Sequence, residues 1–474
     1  MDGLSRQELL AENHQLRLRV AQQQRIIEQL QQSLRDLHAR LDAAERAAKR
    51  QAAPFSKGEP KKRPKKSGRK KADKHGQHGH RPPPEKGEVD EILEGSLPCE
   101  CPHCHGAVEA THVDVQYQED IPRKPIRRQI NIHCGRCRGC GKSVRGRHPQ
   151  QTSNATGAAR SQVGPDAQAA VVYLNKHTGM SYGKISDYFD KCHGIKVTRG
   201  AAAQIVLRAG RRLKPVYHEI LQQLRDTKHL TPDESGWRVG GRPAWVHGWV
   251  AENGATGYAI DPRRGAAILQ GVLGADWCGT MTHDGYSSYD TQFPDAAHQQ
   301  CVDHAMRRAR YLRDRQQGRA RSFPCQVLQL FTDALKTRDR ILAGKLTGPE
   351  RDGAYERFVS RLLDLTERPR SNALNELFAK HLYGHAENWF LFLNDPSIPA
   401  TNHRAEQGLK PPIVNRKVWG GNRTWNGVRA QEVNSSVLQT CRKLAKDIVN
   451  YISHALRGFI SPLFPRLAHP PTGR

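Results

Sequence analysis

The pattern of apolar residues between positions 226 and 300 constrains the fold of this chain more than any other feature. Strand-like runs occur at KHLTPDES, RPAWVHGWVAE and TGYAIDP, followed by the helix-like GAAILQGVLG and a fourth strand-like run, GTMTHD. Three strands in hairpin succession, a helix and a further strand predict a mixed sheet. A right-handed crossover would bring the fourth strand beside the first. We therefore expect Asp233 and Asp284, which end these two runs, to lie next to each other.

A third acidic residue, Glu406, lies in the polar, helix-compatible stretch TNHRAEQGLKPP. Two carboxylates at strand ends and one on a helix can converge on two Mg²⁺ (or Mn²⁺) ions, because these cations prefer hard oxygen ligands. Such ions, about 4 Å apart, stabilise the attacking and leaving oxygens of a phosphodiester. Asp233, Asp284 and Glu406 are therefore the candidate catalytic residues and metal ligands. Glu234 and Asp261 are the rival acids, and a solvated or capping carboxylate is the alternative for each acid taken alone.

The chain is strongly basic. Its 474 residues contain 75 Lys and Arg against 47 Asp and Glu, a formal net charge of +28. This length allows two or three domains, and a basic excess of this size favours a polyanion partner, most often nucleic acid. A basic tail on an ordinary protein is the alternative, and residues 50–74 explain part of the excess. Because Arg clusters recur through the rest of the chain, we expect a nucleic acid partner.

The sequence carries no sign of export or membrane insertion. Its N-terminus, MDGLSRQELL, lacks an apolar signal core, and no stretch approaches the roughly 18 apolar residues of a membrane span. We expect a cytoplasmic, nucleoid-associated protein with no membrane partner. Eleven Cys in a reducing compartment are not expected to form a disulfide framework. Six of them lie between Cys99 and Cys140, which indicates metal binding.

Residues 5–48 have the heptad spacing of a long helix. The two heptad series are Asn13, Val20, Ile27, Leu34 and Leu41 at position a, and Leu9, Leu16, Gln23, Leu30 and Leu37 at position d. This pattern predicts a leucine-zipper coiled coil that forms a parallel homodimer, with Asn13 setting the register. A lone amphipathic helix packed on the body is the alternative. Residues 49–95 have almost no apolar content and predict a basic disordered linker, which either contacts phosphates without sequence preference or only solubilises the chain.

A zinc ribbon is expected at 96–148. The motifs CPHC and CRGC are separated by about thirty residues with strand-like alternation, which predicts two knuckles joined by a β-hairpin. The expected ligands of the structural Zn²⁺ are Cys101, Cys104, Cys137 and Cys140. A closed four-sulfur site stabilises a fold without performing chemistry. Cys99 and Cys134 lie close by and could substitute as ligands or remain bystanders.

DNA contacts are expected at two places before the predicted sheet. The basic residues of IPRKPIRRQINIH are DNA-binding candidates, with plain surface charge as the alternative. They are Arg123, Lys124, Arg127 and Arg128. Residues 160–225 are helical with spacing that resembles a helix-turn-helix, in which Thr198 is the expected N-cap and Arg199 meets DNA. Short helices joined by Gly turns also build ordinary bundles, so that alternative stays open.

The predicted architecture is multidomain α+β. A mixed-sheet α/β core spans 226–430 with a helical insertion at about 300–395, and residues 431–474 form a C-terminal helix and tail. The final amphipathic helix is expected at 427–458, with Val433, Val437, Leu438, Cys441, Leu444 and Ile448 on its apolar side.

The ordered motifs of the chain resemble the IS66 family of bacterial insertion-sequence transposases over nearly the whole length. They are the zipper, the ribbon, DESGW, DGYSSY, CVDHAMRRAR, NHRAEQGLKP and a terminal helix. The resemblance implies an RNase H-like fold, interrupted by a helical insertion, with a DDE active site. It places the first Asp at Asp233, the second at Asp284, and the Asn-x-x-x-Glu motif at Asn402 and Glu406.

Two residues depart from the family pattern. Ser235 stands where Thr is usual, and Gln407 where Arg is common, which weakens the expectation of a basic residue beside the catalytic Glu. The family also tends to show the pair Cys301 and His304. Because no second close Cys/His pair accompanies them, we expect a packed or hydrogen-bonded pair rather than a zinc site.

Further DNA contacts are expected around the acids. The candidates are Arg307, Arg308, Arg310, Asn402, Arg416 and Lys417. The arginines follow on one helix and are expected to meet backbone phosphates, while Asn402 could orient Glu406 or contact DNA. Trp419 and Trp425 lie among basic residues and could stack on an unpaired base, although core packing is the commoner fate of Trp.

The resemblance implies a DDE transposase that binds the terminal inverted repeats of an insertion sequence and catalyses metal-dependent cleavage and strand transfer. Its partners would be double-stranded DNA of the transposon ends and the target, a second copy of the chain, and accessory proteins of the same element. No covalent protein–DNA intermediate is required. A catalytically inactive transposase-derived DNA-binding protein or repressor, and a structure-selective nuclease on the same fold, are the competing interpretations.

Overall fold

The computed structural model describes residues 6–48, 84–85, 87–93, 98–100, 102–108, 110, 113, 115, 117, 125–149, 151 and 162–464. The chain divides into two compact units, Met1–Gln118 and Glu119–Arg474. Most of the predicted linker at 49–95 lies outside the described residues. Among the helices of the described residues, none combines the length and the apolar content that a bilayer crossing requires.

The first unit contains one long helix, α1 (Arg6–Ala48), where the zipper is predicted. It has no Pro or Gly, so nothing in its sequence interrupts the helix. The described apolar side chains at the heptad positions are between 48% and 68% exposed, and they are Leu16, Val20, Ile27, Leu30, Leu34 and Leu37. The side chain of Asn13, the predicted register residue, lies outside the described ones. An apolar stripe therefore runs along α1, and its pairing with a second copy stays a prediction.

The second unit begins with a short antiparallel hairpin of β1 (Cys134–Arg136) and β2 (Ser143–Arg145). The hairpin encloses the CRGC turn, which the left-handed φ of Gly141 allows to close. None of the described residues between 108 and 133 forms a strand, and the hairpin that would join the two CxxC motifs stays a prediction. A bridge between Glu100 and Ala107 flanks CPHC.

Four helices precede the sheet: α2 (Pro165–Lys176), α3 (Tyr182–His193), α4 (Arg199–Arg212) and α5 (Lys214–Arg225). The predicted N-cap of α4 is confirmed, because the Thr198 hydroxyl accepts from the Ala201 N–H at 3.1 Å. These helices do not enclose a core of their own. Ile205 and Leu213 belong to the same hydrophobic cluster as Met281 and Val437, so the helical region packs as part of the sheet core.

The central sheet has five strands in the order β5-β4-β3-β6-β7. The elements are β3 (His229–Val239), β4 (Arg242–Ala251), β5 (Thr256–Asp261), α6 (Ala266–Leu273), β6 (Thr280–His283), α7 (Ser287–Gln292) and β7 (Ala297–Gln300). The first three strands are antiparallel, and β6 is parallel to both β3 and β7. This confirms the predicted mixed sheet with the fourth strand beside the first.

Two details of the sheet differ from the predictions. Asp233 does not end its strand, because β3 continues to Val239 in an unbroken ladder with β4. The strand β7 was not predicted, because its sequence AHQQ has no apolar alternation. Its last three residues, 298–300, are nevertheless buried.

The insertion between β7 and the region of Glu406 is helical, as predicted. Its helices are α8 (Val302–Arg315), α9 (Ser322–Leu342), α10 (Pro349–Asp352), α11 (Ala354–Glu367), α12 (Ala373–Gly384) and α13 (Leu391–Asn394). They enclose a separate hydrophobic cluster rich in aromatic side chains, which includes Phe331, Phe378, Trp389 and Phe390. The insertion is therefore a packed helical layer with its own core.

Three helices complete the fold: α14 (His403–Trp419), α15 (Trp425–Lys443) and α16 (Ile448–Arg457). The single amphipathic helix predicted at 427–458 is wrong. The helix breaks at 444–447, where Ala445 has a φ of +51° and Asp447 caps α16. Moreover, α15 is buried on all sides from Ala430 to Cys441, because it lies between α4 and β5.

Polar side chains of α15 satisfy the outer edge of β5. The backbone N–H groups donate from Thr256 to Thr440 at 3.1 Å, from Tyr258 to Ser436 at 3.0 Å and from Ile260 to Glu432 at 2.7 Å. These acceptors are four residues apart on the helix, while the donors are two apart on the strand. An edge strand with unpaired donors would attract another chain, and this row of side chains prevents that. It also explains why a fully buried helix contains so many polar residues.

We predict opposite effects for two Gly→Ala substitutions in α4. At Gly210 an added Cβ would lie 2.8 Å from the Ala430 Cα of α15, whereas at Gly200 it would meet no atom within 4 Å. Gly210→Ala should destabilise the protein by about 1–3 kcal/mol through overpacking. Gly200→Ala should stabilise it by up to about 1 kcal/mol, because alanine is the better helix former. The midpoints of urea unfolding followed by circular dichroism compare them, and equal midpoints would contradict this close packing of α4 on α15.

Candidate active site

The parallel pairing of β3 with β6 brings Asp233 and Asp284 to equivalent positions. His229 pairs with Thr280, and Leu230 with Met281. Asp233 follows His229 by the same number of residues as Asp284 follows Thr280, so the two acids lie on one line across neighbouring strands. Asp284 comes directly after β6, in a turn where its Oδ1 accepts from the Tyr286 N–H at 3.2 Å. The predicted proximity of these two acids therefore follows from the strand register.

Glu406 approaches from a separate element. It lies in the first turn of α14, where its carboxylate pairs with Arg307 of α8 at 2.8 Å and lies 3.9 Å from the His304 ring. His304 also accepts from Arg307 at 2.9 Å when its Nε2 carries a lone pair. Asp303 also pairs with Arg307, at 3.1 Å. Arg307 is therefore held by three side chains, those of Glu406, His304 and Asp303. The predicted phosphate contact of Arg307 would require it to leave these partners.

The three acids influence one another electrostatically. The pKa of Asp233 is raised to about 7, first by burial and then by the negative charges of Glu234, Asp284 and Glu406. The Glu234 N–H, which donates to Asp233 at 2.9 Å, opposes this shift. Carboxylates from β3, from the end of β6 and from α14 therefore share one region of negative potential.

The same three acids do not form a tight cluster. Within the described residues, their ligand oxygens do not all lie within 4.8 Å of one another. The metal-free carboxylates therefore lie further apart than the ligands of one tightly bound ion. The donor set fits Mg²⁺ or Mn²⁺, because all three groups are hard carboxylates and their mutual repulsion at Asp233 is what bound cations would offset.

A hydrogen-bonded pair of side chains joins α8 to α14. The Cys301 thiol lies 3.1 Å from the Asn402 Oδ1, and the Asn402 N–H donates to the Cys301 sulfur at 3.3 Å. This confirms a packed, hydrogen-bonded Cys301. Asn402 is only 1% exposed, and its predicted DNA contact stays a prediction. Beside this link, a cavity of about 450 Å³ is lined by residues that include Asp303, Arg310, Asn402 and Glu406.

The rival acid Glu234 has partners of its own. Its side chain is 2% exposed, accepts from Arg264 Nε at 3.0 Å and accepts from the Tyr289 hydroxyl at 2.6 Å. The guanidinium of Arg264 lies 4.0 Å from the ring centre of Tyr286, whose hydroxyl donates to the Arg264 carbonyl at 2.9 Å. The two tyrosines of DGYSSY therefore fix an ion pair between the buried Glu234 and the partly exposed Arg264, next to Asp284. Arg264 was not predicted as a site residue. The sequence signal for this contact was the pair of tyrosines in DGYSSY.

The other rival, Asp261, closes a turn, since its Oδ1 accepts from the Arg263 N–H at 2.8 Å. It lies at the end of β5, which is separated from β3 by β4. Position therefore disfavours Asp261 as a metal ligand, and the bonds to Arg264 and Tyr289 disfavour Glu234.

The CRGC motif contains one thiol with a lowered pKa, Cys137. Backbone N–H groups of Cys140 and Gly139 donate to the Cys137 sulfur and lower its pKa, which favours the thiolate that binds Zn²⁺. Of the other expected ligands, Cys104 lies in the first unit and Cys101 lies outside the described residues. The four-sulfur site stays a prediction.

The remaining DNA-binding candidates have varied surroundings. Arg127, Arg128, Arg199 and Lys417 are exposed. Arg308 lies 4.7 Å from the Phe378 ring centre, Arg416 donates to the Gly236 carbonyl, and Arg123 and Lys124 lie outside the described residues. Trp419 packs against Trp237 with ring centres 6.0 Å apart, whereas Trp425 is 43% exposed. Core packing is thus confirmed for Trp419, while Trp425 is open to solvent.

Comparison with known proteins assigns the chain to a family. No curated protein matches the sequence. A family model described as the IS66 family transposase matches residues 160–430, a span that includes helices α2–α5, the whole central sheet, the helical insertion and all three acids. Because this match covers more than half of the chain, the protein belongs to the IS66 family of transposases.

Proposed function

We propose that this chain is an active DDE transposase, which cleaves DNA at the ends of its insertion sequence and joins those ends to target DNA. The observation that carries the proposal is the convergence of three acids at Asp233, whose pKa is raised to about 7 by burial and Glu234 first, and further by the charges of Asp284 and Glu406. Three acids from distant parts of the sequence affect one another only because the fold brings them together. Clustered like charges are costly to folding, and they are found where they bind a cation or take part in chemistry.

Asp233, Asp284 and Glu406 would hold two Mg²⁺ or Mn²⁺ ions. The chemistry that such a pair supplies is activation of the attacking oxygen and stabilisation of the leaving 3′-oxygen, for hydrolysis and then for strand transfer. The backbone N–H of Tyr286 orients the Asp284 carboxylate. Arg307 orients Glu406 and neutralises its charge in the metal-free chain, and His304 accepts from Arg307.

The surroundings of the acids keep this arrangement rigid. The ion pair of Glu234 and Arg264 ties β3 to the segment before α6, and Tyr289 ties it to α7. The Cys301–Asn402 contact fixes the start of α14 against the start of α8. These links hold the three carboxylates on elements that are packed rather than mobile, as preorganised catalysis requires.

The rest of the chain would serve DNA binding and assembly. The exposed side chains of Arg127, Arg128, Arg199 and Lys417 are the candidates for contacts with terminal repeats and target DNA. A structural Zn²⁺ on four cysteines would stabilise the ribbon, and the zipper of α1 would pair two copies so that two ends are held together. Accessory proteins of the same element are further proposed partners.

Replacing the acids singly tests the catalytic assignment. Asp233→Ala, Asp284→Ala and Glu406→Ala should each lower Mg²⁺-dependent nicking and strand transfer of an end-bearing oligonucleotide by on the order of a thousandfold or more. The matched control is Asp261→Asn, which removes a carboxylate from β5 and should leave the rate within about twofold. Strand transfer that survives any one alanine change removes that residue from the triad. A wild-type chain that binds ends tightly without nicking them would favour the inactive DNA-binding protein instead.

Asp233 should also make the metal-free protein less stable at high pH. Its carboxyl has a pKa of about 7 in the folded chain against an ordinary value of 3.8, so the folded state holds the proton more tightly than the unfolded state. Stability should therefore fall as the pH rises from about 4 to about 7, and level off above that.

Asp233→Asn removes this dependence. The unfolding free energy of the variant minus that of the wild type should increase by about 1 kcal/mol or more from pH 5 to pH 8. Urea unfolding with a chelator present measures this difference. Asp261→Asn should show no such pH-dependent gain. A constant difference between Asp233→Asn and the wild type across this range would show that the Asp233 pKa is not raised.

Dimerisation through α1 is tested on the exposed stripe. Leu30→Glu places a charge at position d, where Leu30 is 63% exposed in the single chain, and should convert a dimer to a monomer in light scattering at micromolar concentration. Gln31→Glu introduces the same charge on the neighbouring residue, outside positions a and d, and should leave the dimer intact. A monomeric wild type, or equal masses for the two variants, would rule out the zipper.

A further inference from the structure

A second group of metal-ligating side chains lies beside Asp284 but does not include it. His283 is the last residue of β6, His298 lies on β7, and Asp290 lies on α7 between these strands. Within the described residues, this is the only group of three or more His, Cys, Asp or Glu side chains whose ligand atoms all lie within 4.8 Å of one another. None of the three residues belongs to a sequence motif that predicts metal binding.

The distances among the three ligand atoms match one face of a tetrahedron. His283 Nε2 lies 3.0 Å from His298 Nδ1 and 3.6 Å from Asp290 Oδ1, and His298 Nδ1 lies 3.5 Å from Asp290 Oδ1. Tetrahedral Zn²⁺ with bonds of about 2.0–2.1 Å requires ligand atoms roughly 3.3 Å apart. An ion placed close to the plane of these atoms would therefore be at bonding distance from all three without a large movement of the backbone.

The chemistry of the ligands selects the class of metal. Two imidazole nitrogens and one carboxylate oxygen suit Zn²⁺ and its neighbours in the first transition row, whereas Mg²⁺ prefers oxygen ligands alone. The other ring nitrogen of His298 donates to the Phe293 carbonyl at 2.9 Å, which leaves the lone pair of Nδ1 facing the cluster. Both imidazoles are buried, while Asp290 is 30% exposed, so the cluster faces solvent on the Asp290 side.

We propose that His283, Asp290 and His298 form a binding site for one Zn²⁺ ion, distinct from the three acids and from the cysteine knuckles. Its three protein ligands and one solvent position resemble an open zinc site rather than a closed structural one. The proposal does not depend on transposase activity, because it concerns the metal content of the chain.

The metal-free arrangement is satisfied by hydrogen bonds, which limits how tightly zinc can bind. The Gly285 N–H donates to His283 Nδ1 at 3.2 Å, so the proton of the neutral ring lies on Nε2 and points to His298. Zinc binding at Nε2 requires that proton to move to Nδ1, where it faces the Gly285 N–H, so this contact must open. Gly285 follows Asp284 and has a φ of +90°. Zinc loading is therefore coupled to the turn that carries Asp284.

Zinc stoichiometry of the full-length chain tests the site. The protein is stripped with a chelator, dialysed against buffered Zn²⁺, and its bound zinc is measured by mass spectrometry. The double variant Asp290→Asn/His298→Gln should bind one equivalent less than the wild type, whatever the cysteines bind. The matched control is Asp295→Asn, an exposed acid of the same segment outside the cluster, and it should bind as much zinc as the wild type.

Equal zinc content in the double variant and the wild type would overturn the proposal and leave a hydrogen-bonded histidine pair. If circular dichroism shows that the double variant is unfolded, Asp290→Asn alone decides. Because Asp290 is partly exposed, this change should preserve the fold and weaken zinc binding at the site by on the order of tenfold or more. An unchanged dissociation constant would overturn the site. In ¹⁵N-histidine spectra, Zn²⁺ should shift the Nε2 resonance of His283 and the Nδ1 resonance of His298. Resonances that do not respond to Zn²⁺ would also overturn the site.

Discussion

The parallel pairing of β3 with β6 is the constraint on which the candidate active site depends. Only a few residue pairs join the two strands, yet their register aligns Asp233 with Asp284. The long antiparallel ladder of β3 with β4 keeps Asp233 inside a rigid strand, so it cannot move away from the second acid. The result is a carboxyl that is partly buried among other acids and has a raised pKa. Such an arrangement costs stability, and a bound cation would offset that cost.

The two packed regions around the sheet are joined to it in different ways, and one of them positions Glu406. The helical insertion has its own aromatic core. Two of its residues contact the start of α14: Arg307 of α8, and Cys301, which directly precedes α8. Helices α2–α5, in contrast, share a core with the sheet through α15. A contact of Arg199 with DNA would therefore be made by an element packed directly on the catalytic sheet. In the proposed function this gives end recognition a rigid connection to the acids, rather than a flexible linker.

Sequence patterns predicted the parts of the fold that have apolar periodicity. The strands around Asp233 and Asp284 and the helical insertion follow from such patterns. The start of α4 follows from its capping residue, Thr198. The exceptions are elements whose buried side chains are polar. Strand β7 is AHQQ, and α15 buries Ser436, Thr440 and Glu432 because they satisfy the edge of β5. Neither the Glu406–Arg307 pair nor the His283–His298 contact could be predicted, since both join residues whose proximity depends on the tertiary fold.

The most direct measurement is the anomalous scattering of Mn²⁺ in crystals of the full-length chain bound to end DNA. If the three acids form the active site, anomalous density should lie between Asp233, Asp284 and Glu406, and the Glu406 carboxylate should have exchanged Arg307 for the metal. Density elsewhere, or none at these carboxylates while Glu406 stays paired with Arg307, would contradict the assignment. The protein would then be a DNA-binding member of its family whose acids do not gather cations.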